Sequence, residues 1–353
     1  MKRMEAQNFI LAIGLVLLLF TAGCRTLSFK KPLSDTPTPP TLPAQTAASQ
    51  AVAVVDTLTH DQILLEQAQS FLTDGDLQTA LIRFEQAIDE NPKLVEAYIG
   101  AGQIYHGLGD YELAETKFEL ATRQAPMSFE AHYYLGLMRQ LLHKFQLAVK
   151  AYLYALAIDP DDFLANHNLS ICYLQQGRAA ESAPYAQRAT RLNKDNQQAW
   201  ANLGSAYNLM GLYEKAVQAY RQANELGDTT EPILLGLAEA HMRLDHHDRA
   251  MIVLKQVLND FPSALAHERM GYALFKSRQY DKSMEQFRAA LFFDPDDTAS
   301  LNGLGVCMMT RYIQNDRRVQ LHWDQALLAW RRSLAIQPNQ PKITSLLQSL
   351  GQS

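Results

Sequence analysis

The sequence predicts an all-α protein, a right-handed α-solenoid of about eight helix-turn-helix repeats closed by a C-terminal capping helix. Three observations predict it. From Asp61 onward the same residue classes return about every 34 positions, and a period of that length marks stacked supersecondary units. Within each period the apolar residues fall in two stripes at helical spacing, separated by a short turn. Most periods end at a proline, which cannot continue a helix.

The chain opens on a segment outside that pattern. Lys2 and Arg3 precede an apolar run from Phe9 to Phe20, then Thr21-Ala22-Gly23-Cys24. A basic start, a short apolar run and small residues before a cut mark a secretory signal. The run is shorter than the roughly 20 apolar residues of a spanning helix. Residues 1–23 resemble a bacterial lipoprotein signal peptide, which implies that Cys24 is lipidated and becomes the mature N-terminus. Thr21 stands where such signals usually carry Leu. An ordinary signal peptide, or a short anchor helix with an incidental cysteine, is the alternative reading. Where a cell has an outer membrane, Arg25 implies sorting to its periplasmic face, because Asp there is the usual retention signal.

Residues 24–60 form the next segment. "KKPLSDTPTPPTLPAQTAASQ" is rich in Pro, Thr, Ala and Gln and has no apolar period. Such a composition stiffens the chain and buries too little surface to fold. It reads as a disordered tether.

The repeats occupy residues 61–340, with starts near 61, 95, 129, 163, 197, 231, 264 and 298. Counting from Gln197, Trp200 is the fourth residue, Leu203 and Gly204 the seventh and eighth, and Tyr207 the eleventh. Ala216, Tyr220 and Ala223 are the twentieth, twenty-fourth and twenty-seventh. Position eight is glycine at Gly102, Gly136, Gly204, Gly271 and Gly305; position twenty is alanine at Ala80, Ala114, Ala148, Ala216 and Ala250. Position twenty-four carries Phe84, Phe118, Tyr152, Tyr220, Leu254 and Phe287, and position thirty-two Pro92, Pro126, Pro160, Pro262 and Pro295. Small residues at eight and twenty let two helices approach closely, and the residue at twenty-four fills the space between units. This pattern resembles the tetratricopeptide repeat, which implies a helical hairpin stable only when stacked on its neighbours.

Two repeats depart from it. The fourth has Ser182 and Ala186 at positions twenty and twenty-four, Lys194 in place of proline, and Pro184 inside its second helix. It is expected to be the softest link. The eighth carries nine extra residues between its halves, within "MTRYIQNDRRVQLHWDQ". That insert, with Arg311, Tyr312, Arg317, Arg318, His322 and Trp323, reads as an extended helix pair with a charged face, or as a docking knob. Residues 341–353 contain "PKITSLLQSLG", an amphipathic stretch suited to cap the last repeat.

The chain's 353 residues carry a net charge of −5, which lacks the basic surplus of a nucleic-acid binder. Cys172 and Cys307 occupy the same repeat position four units apart, too far for the roughly 7 Å between Cα atoms that a disulfide needs. They read as small buried thiols. No phosphate loop, GxSxG or HExxH motif occurs. The cluster Asp245, His246, His247 and Asp248 falls on a turn, where side chains diverge, so no metal site is expected there. No cofactor is implied, and the expectation is a protein that is not an enzyme. Tetratricopeptide-bearing glycosyltransferases carry a separate catalytic domain, for which the residues beyond Pro338 leave no room.

The resemblance places binding on the first helix of each repeat, at positions two, five, six, nine, twelve and thirteen. These supply Gln103; Tyr133, Tyr134 and Gln140; His167 and Asn168; Asn202, Ser205 and Asn208; Glu239 and Arg243; Glu268, Arg269, Tyr272 and Lys276; and Asn302. The peptide-binding set is Tyr133, Tyr134, His167, Asn168, Asn202, Asn208, Arg269, Tyr272 and Asn302. Asn168 and Asn202 both stand at position six, and a side-chain amide offers donor and acceptor to an extended backbone. Members that clamp a chaperone's terminal carboxylate carry Lys at position five, where this chain has Leu65, Ile99, Tyr133, His167 and Ala201.

The chain therefore resembles bacterial tetratricopeptide lipoproteins, among them pilotins and envelope-assembly adaptors. The implied function is a membrane-anchored scaffold that binds a protein or peptide partner. A self-assembling envelope protein, or a non-catalytic subunit of an envelope enzyme complex, is the alternative.

Overall fold

The computed structural model describes residues 58–314 and 319–351. The signal segment, Cys24, nearly all of the tether, and Arg317 and Arg318 lie outside the described residues. Among the described residues there are 17 helices and no strand, so the all-α prediction holds. They come as consecutive pairs: α1 His60–Thr73 with α2 Leu77–Glu90, α3 Val95–Leu108 with α4 Tyr111–Gln124, and α5 Phe129–Leu141 with α6 Phe145–Ile158. Next come α7 Phe163–Gln175 with α8 Ala179–Leu192, α9 Gln197–Leu209, α10 Tyr213–Leu226, and α11 Glu231–Arg243 with α12 His247–Asp260. The series ends with α13 Ala264–Lys276 and α14 Tyr280–Phe293, α15 Thr298–Gln314 and α16 Gln320–Ile336, and the cap α17 Pro341–Ser349. The odd-numbered helix of each repeat is its A helix, the even-numbered its B helix.

The helices group into two compact units, one ending at Gly211 and the other beginning at Leu212. The division falls within the fifth repeat, between α9 and α10.

In the first seven repeats the A–B turn rests on one left-handed residue, the fifteenth of its repeat: Gly75, Gly109, His143, Gly177, Gly211, Asp245 and Arg278, with φ between 56° and 85°. Four are glycine, which meets no Cβ penalty there, and Asp tolerates the region through local hydrogen bonding. At His143 and Arg278 the turn is closed by backbone hydrogen bonds, the Lys144 N–H donating to the Arg139 carbonyl at 2.7 Å and the Gln279 N–H to the Leu274 carbonyl at 2.9 Å.

The aromatic residue at position twenty-four is the principal wedge of the core. Phe84, Phe118, Tyr152 and Phe287 are essentially inaccessible, and each such side chain contributes about 1.5–3 kcal/mol on burial. Glycine makes room on both sides. A Cβ on Gly102 would come within 2.8 Å of the Phe118 ring in the same repeat. A Cβ on Gly100 would collide with the Phe84 ring in the preceding one. The same two relations hold in the second unit, where a Cβ on Gly271 would come within 2.9 Å of the Phe287 ring and one on Gly303 would collide with it.

At position twenty, Ser182 and Ser283 stand where other repeats have alanine, and the structure shows how a hydroxyl fits. Ser182 Oγ donates to the Ser170 carbonyl at 2.8 Å, and Ser283 Oγ to the Gly271 carbonyl at 2.7 Å. Both acceptors are at position eight of the same repeat, so the close helix contact supplies the partner that a buried hydroxyl needs.

The extra residues of the last repeat lengthen both its helices to 17 residues. Tyr312 and Trp323 pack against each other across them at 5.3 Å between centroids, and Arg311 pairs with Asp281 at 3.1 Å. The described part of the insert is thus a helix extension braced within its own repeat and on α14 of the preceding one. The cap places Ile343, Leu346 and Leu347 in one core cluster with Val306, Met309 and Trp330.

Candidate functional site

In the first unit the expected binding residues lie on α5, α7 and α9. Their helices start where local chemistry dictates: Ser128, Asp162 and Asn196 each accept a backbone N–H of the first turn through the side chain, the usual N-cap arrangement. Tyr133, Tyr134, His167, Asn168, Asn202 and Asn208 are all half-buried, so each keeps contact with solvent from a braced position.

The braces are aromatic. The Tyr134 ring stacks on Phe118 at 5.1 Å, and the Tyr133 ring stacks on Phe129 at 6.0 Å and meets Tyr134 edge-on at 5.4 Å. His167 stacks on Phe163 at 5.5 Å. Burial pushes the His167 imidazole below its ordinary range, so it is neutral near pH 7. Its Nδ1 is buried with no hydrogen-bond partner among the described residues.

The two asparagines at position six are not equivalent. Asn168 Nδ2 donates to the Tyr133 hydroxyl at 3.4 Å and its side chain also meets the Tyr152 hydroxyl. The Tyr152 hydroxyl in turn donates to Gln140 Oε1 at 2.9 Å. Asn168 therefore serves an internal network that fixes the tyrosines. Asn202 Nδ2 is buried and has no hydrogen-bond partner among the described residues. The cause lies in the preceding repeat. Position twenty-four touches position six of the next unit throughout: Phe84 against Gly100, Phe118 against Tyr134, Tyr152 against Asn168, Tyr220 against Gly236. Ahead of Asn202 that position is Ala186, which has no hydroxyl to offer.

The second unit behaves differently. Arg243 Nε pairs with Glu239 Oε1 at 2.6 Å, Arg269 Nη1 with Glu239 Oε2 at 3.5 Å, and Arg269 Nε with Glu268 Oε2 at 3.4 Å. Arg269 is thereby held between two carboxylates of its own chain. Burial pushes the Glu268 carboxyl up to about 7; Arg269 pulls it down, and Asp297 and Glu239 push it further up. Tyr272 is 5% exposed, and its expected role as an open groove residue does not fit that burial. Asn302 is wholly buried and donates to Gln340 Oε1 at 2.8 Å. The residue just before the cap covers it, so it too faces the interior. Tyr152 and Gln140 are the pair whose hydroxyl–amide contact the binding set lacked.

Among the described residues, no group of three His, Cys, Asp and Glu side chains is placed to hold a metal ion. Cys172 and Cys307 are free and buried, and burial pushes each thiol up to about 12.

A family model described as tetratricopeptide repeat matches residues 65–126, 107–163, 167–229 and 235–307. The Protein CTR9 homolog of Arabidopsis thaliana is 27% identical over 124 residues, 35% of this chain and 11% of that protein. The Small glutamine-rich tetratricopeptide repeat-containing protein 2 of Mycosarcoma maydis is 30% identical over 93 residues, 26% of each chain. The chain thus spans only about a tenth to a quarter of these relatives. Among solved structures, MamA has 22% identity and a TM-score of 0.45, covering 47% of this chain and 90% of that one. A Pseudomonas aeruginosa pilF structure has 17% identity and a TM-score of 0.48, covering 62% of this chain and 97% of that one.

Proposed function

This chain belongs to the tetratricopeptide repeat family, and from that premise we propose that it is a lipid-anchored, exported scaffold that holds a peptide segment or partner protein on the A-helix face of α5, α7 and α9. One observation carries the reading: Tyr133 and Tyr134 on α5, His167 and Asn168 on α7, and Asn202 on α9 stand half-buried at equivalent positions of successive A helices. Amide and ring together suit an extended backbone, the amide taking a carbonyl and the rings covering side chains. The mechanism is binding, with each A helix adding a few side chains and the stack summing them. No enzymatic activity is part of this proposal, since the repeated positions already have packing roles.

Anchoring through Cys24, export, and a place on the periplasmic face of an outer membrane complete the proposal on the strength of the leader sequence. The test is crosslinking in native membranes followed by affinity purification, with wild type beside Cys24→Ala. A partner recovered with the wild type, and an unprocessed or soluble Cys24→Ala protein, is the expected result. Lipid-labelled Cys24→Ala protein would remove the anchor from the reading, and purification of the chain alone as a defined oligomer would favour self-assembly.

A further inference from the structure

One arginine on the A helices of the second unit lacks a close partner. Arg269 on α13 meets Glu268 Oε2 at 3.4 Å through Nε and Glu239 Oε2 at 3.5 Å through Nη1. Both contacts are longer than the roughly 2.7–2.9 Å of a charge-assisted hydrogen bond. Arg269 Nη1 and Glu239 Oε2 are each buried with no hydrogen bond among the described residues. Arg243 shows what a made bond looks like nearby, with Nε 2.6 Å from Glu239 Oε1. A guanidinium carries its N–H donors in a planar fork that matches a carboxylate. Arg269 leaves that fork unfilled, and 19% of its side chain is exposed.

What holds Arg269 in place is a buried carboxylate. Glu268 is 5% exposed, and Arg269 is the cation that faces it. The other charged groups facing it from the elements packed on α13 are Glu239 of α11 and Asp297 ahead of α15, both anionic; α12 and α14 add none. Asp297 is engaged by the Ala299 and Ser300 N–H groups. On α13 itself, Tyr272 is a phenol that burial keeps neutral, and His267 is turned to Gln286 of α14 at 2.8 Å. While Glu268 is ionised, drawing Arg269 away strands a buried charge, which is strongly unfavourable. Once Glu268 takes a proton, Arg243 and Arg269 share the carboxylate of Glu239, and the cluster has one positive charge to spare. An incoming carboxylate can then fill the Arg269 fork.

We propose that the A-helix face of α11 and α13 is a second recognition site, where Arg269 grips an aspartate or glutamate side chain of an acidic partner segment, and that Glu268 gates it by releasing Arg269 when protonated. The site needs no residue of α5, α7 or α9. Binding and protonation of Glu268 are linked, so each favours the other. A ligand glutamate, with its ordinary value near 4.3, stays ionised through the interval in which Glu268 changes state.

The experiment uses the full chain and one probe, a rhodamine-labelled, C-terminally amidated peptide of alternating glutamate and alanine, titrated by fluorescence anisotropy at pH 8 and pH 6. With the Glu268 carboxyl at about 7, its protonated fraction rises roughly tenfold across that interval. Wild type should therefore bind up to about tenfold more tightly at pH 6. Glu268→Gln should bind equally at both pH values, with the wild type's pH 6 affinity. Histidines that titrate in the same interval are shared by these two proteins, so their difference isolates Glu268. Glu268→Gln combined with Arg269→Gln should lose about tenfold or more at both pH values, as removal of a charged hydrogen-bond pair does. Where that variant melts early, Arg269→Lys, which keeps the charge and loses the fork, should show a several-fold loss at pH 6. Wild-type affinity indifferent to pH, or a Glu268→Gln protein that keeps the wild-type pH dependence, would overturn the inference. So would full affinity in a folded Arg269 variant, or equal binding of a peptide with glutamine in place of glutamate.

Discussion

The backbone of Gly136 passes so close to Tyr152 that a Cβ there would come within 2.8 Å of the ring. Tyr152 is fully buried and its hydroxyl is tied to Gln140, so the ring has little freedom to retreat. Gly136→Ala should therefore destabilise the first unit by about 1–3 kcal/mol, as overpacking does. Gly107 is the control. It is helical too, yet a Cβ there meets nothing within 4 Å, and Gly107→Ala should be neutral or stabilising by about 0.5–1 kcal/mol. Denaturant midpoints of the two variants check the contrast.

Pro184 lies inside α8, which starts at Ala179, so the helix does not begin late enough to spare it. A proline in that place removes one backbone bond and costs about 3 kcal/mol. Hydrogen exchange over residues 178–194 should be faster than over α4 and α6. Pro184→Ala should slow it by about tenfold or more. Equal protection in the three helices would contradict a soft fourth repeat. Ser182 should contribute little to the softness, because its hydroxyl is satisfied by the Ser170 carbonyl.

Much of this was legible in the chain. The period, the paired helices and the cap follow from local spacing, and local spacing survives in one sequence. The binding face was only half legible. Whether a position-six side chain is free depends on the residue sixteen places earlier: Tyr152 occupies Asn168, and Ala186 leaves Asn202 unserved. Tyr272 and Asn302 carry the same residue types as true surface positions, and only the packing around them, including Gln340 over Asn302, shows that they are interior. The ion-paired state of Arg269 was hidden in the same way, because Glu239 is thirty residues upstream.

Glu268 gives the second unit a pH signature. Its folded pKa of about 7 lies above the unfolded value near 4.3, so the native state binds the extra proton between them. Stability from this group is fully present below about pH 4.3 and is lost as pH rises through about 7, a change of roughly 4 kcal/mol. Glu268→Gln should flatten that fall, so that the variant melts higher than wild type at pH 8 and near it at pH 5. The two melting curves at those pH values are the check.

The most direct test of the binding face is the affinity of the purified partner for wild type, Asn202→Ala and Asn168→Ala. Asn202 is half-buried on this face, and a hydrogen bond contributes about 0.5–1.5 kcal/mol net, so Asn202→Ala should weaken binding by about three- to tenfold with an unchanged melting curve. Asn168→Ala should weaken it as well, but through the Tyr133 and Tyr152 network, and with a lowered melting temperature. The double variant should lose about ten- to a hundredfold. Unaltered affinity in a folded Asn202→Ala protein would contradict the account and move the partner off this face.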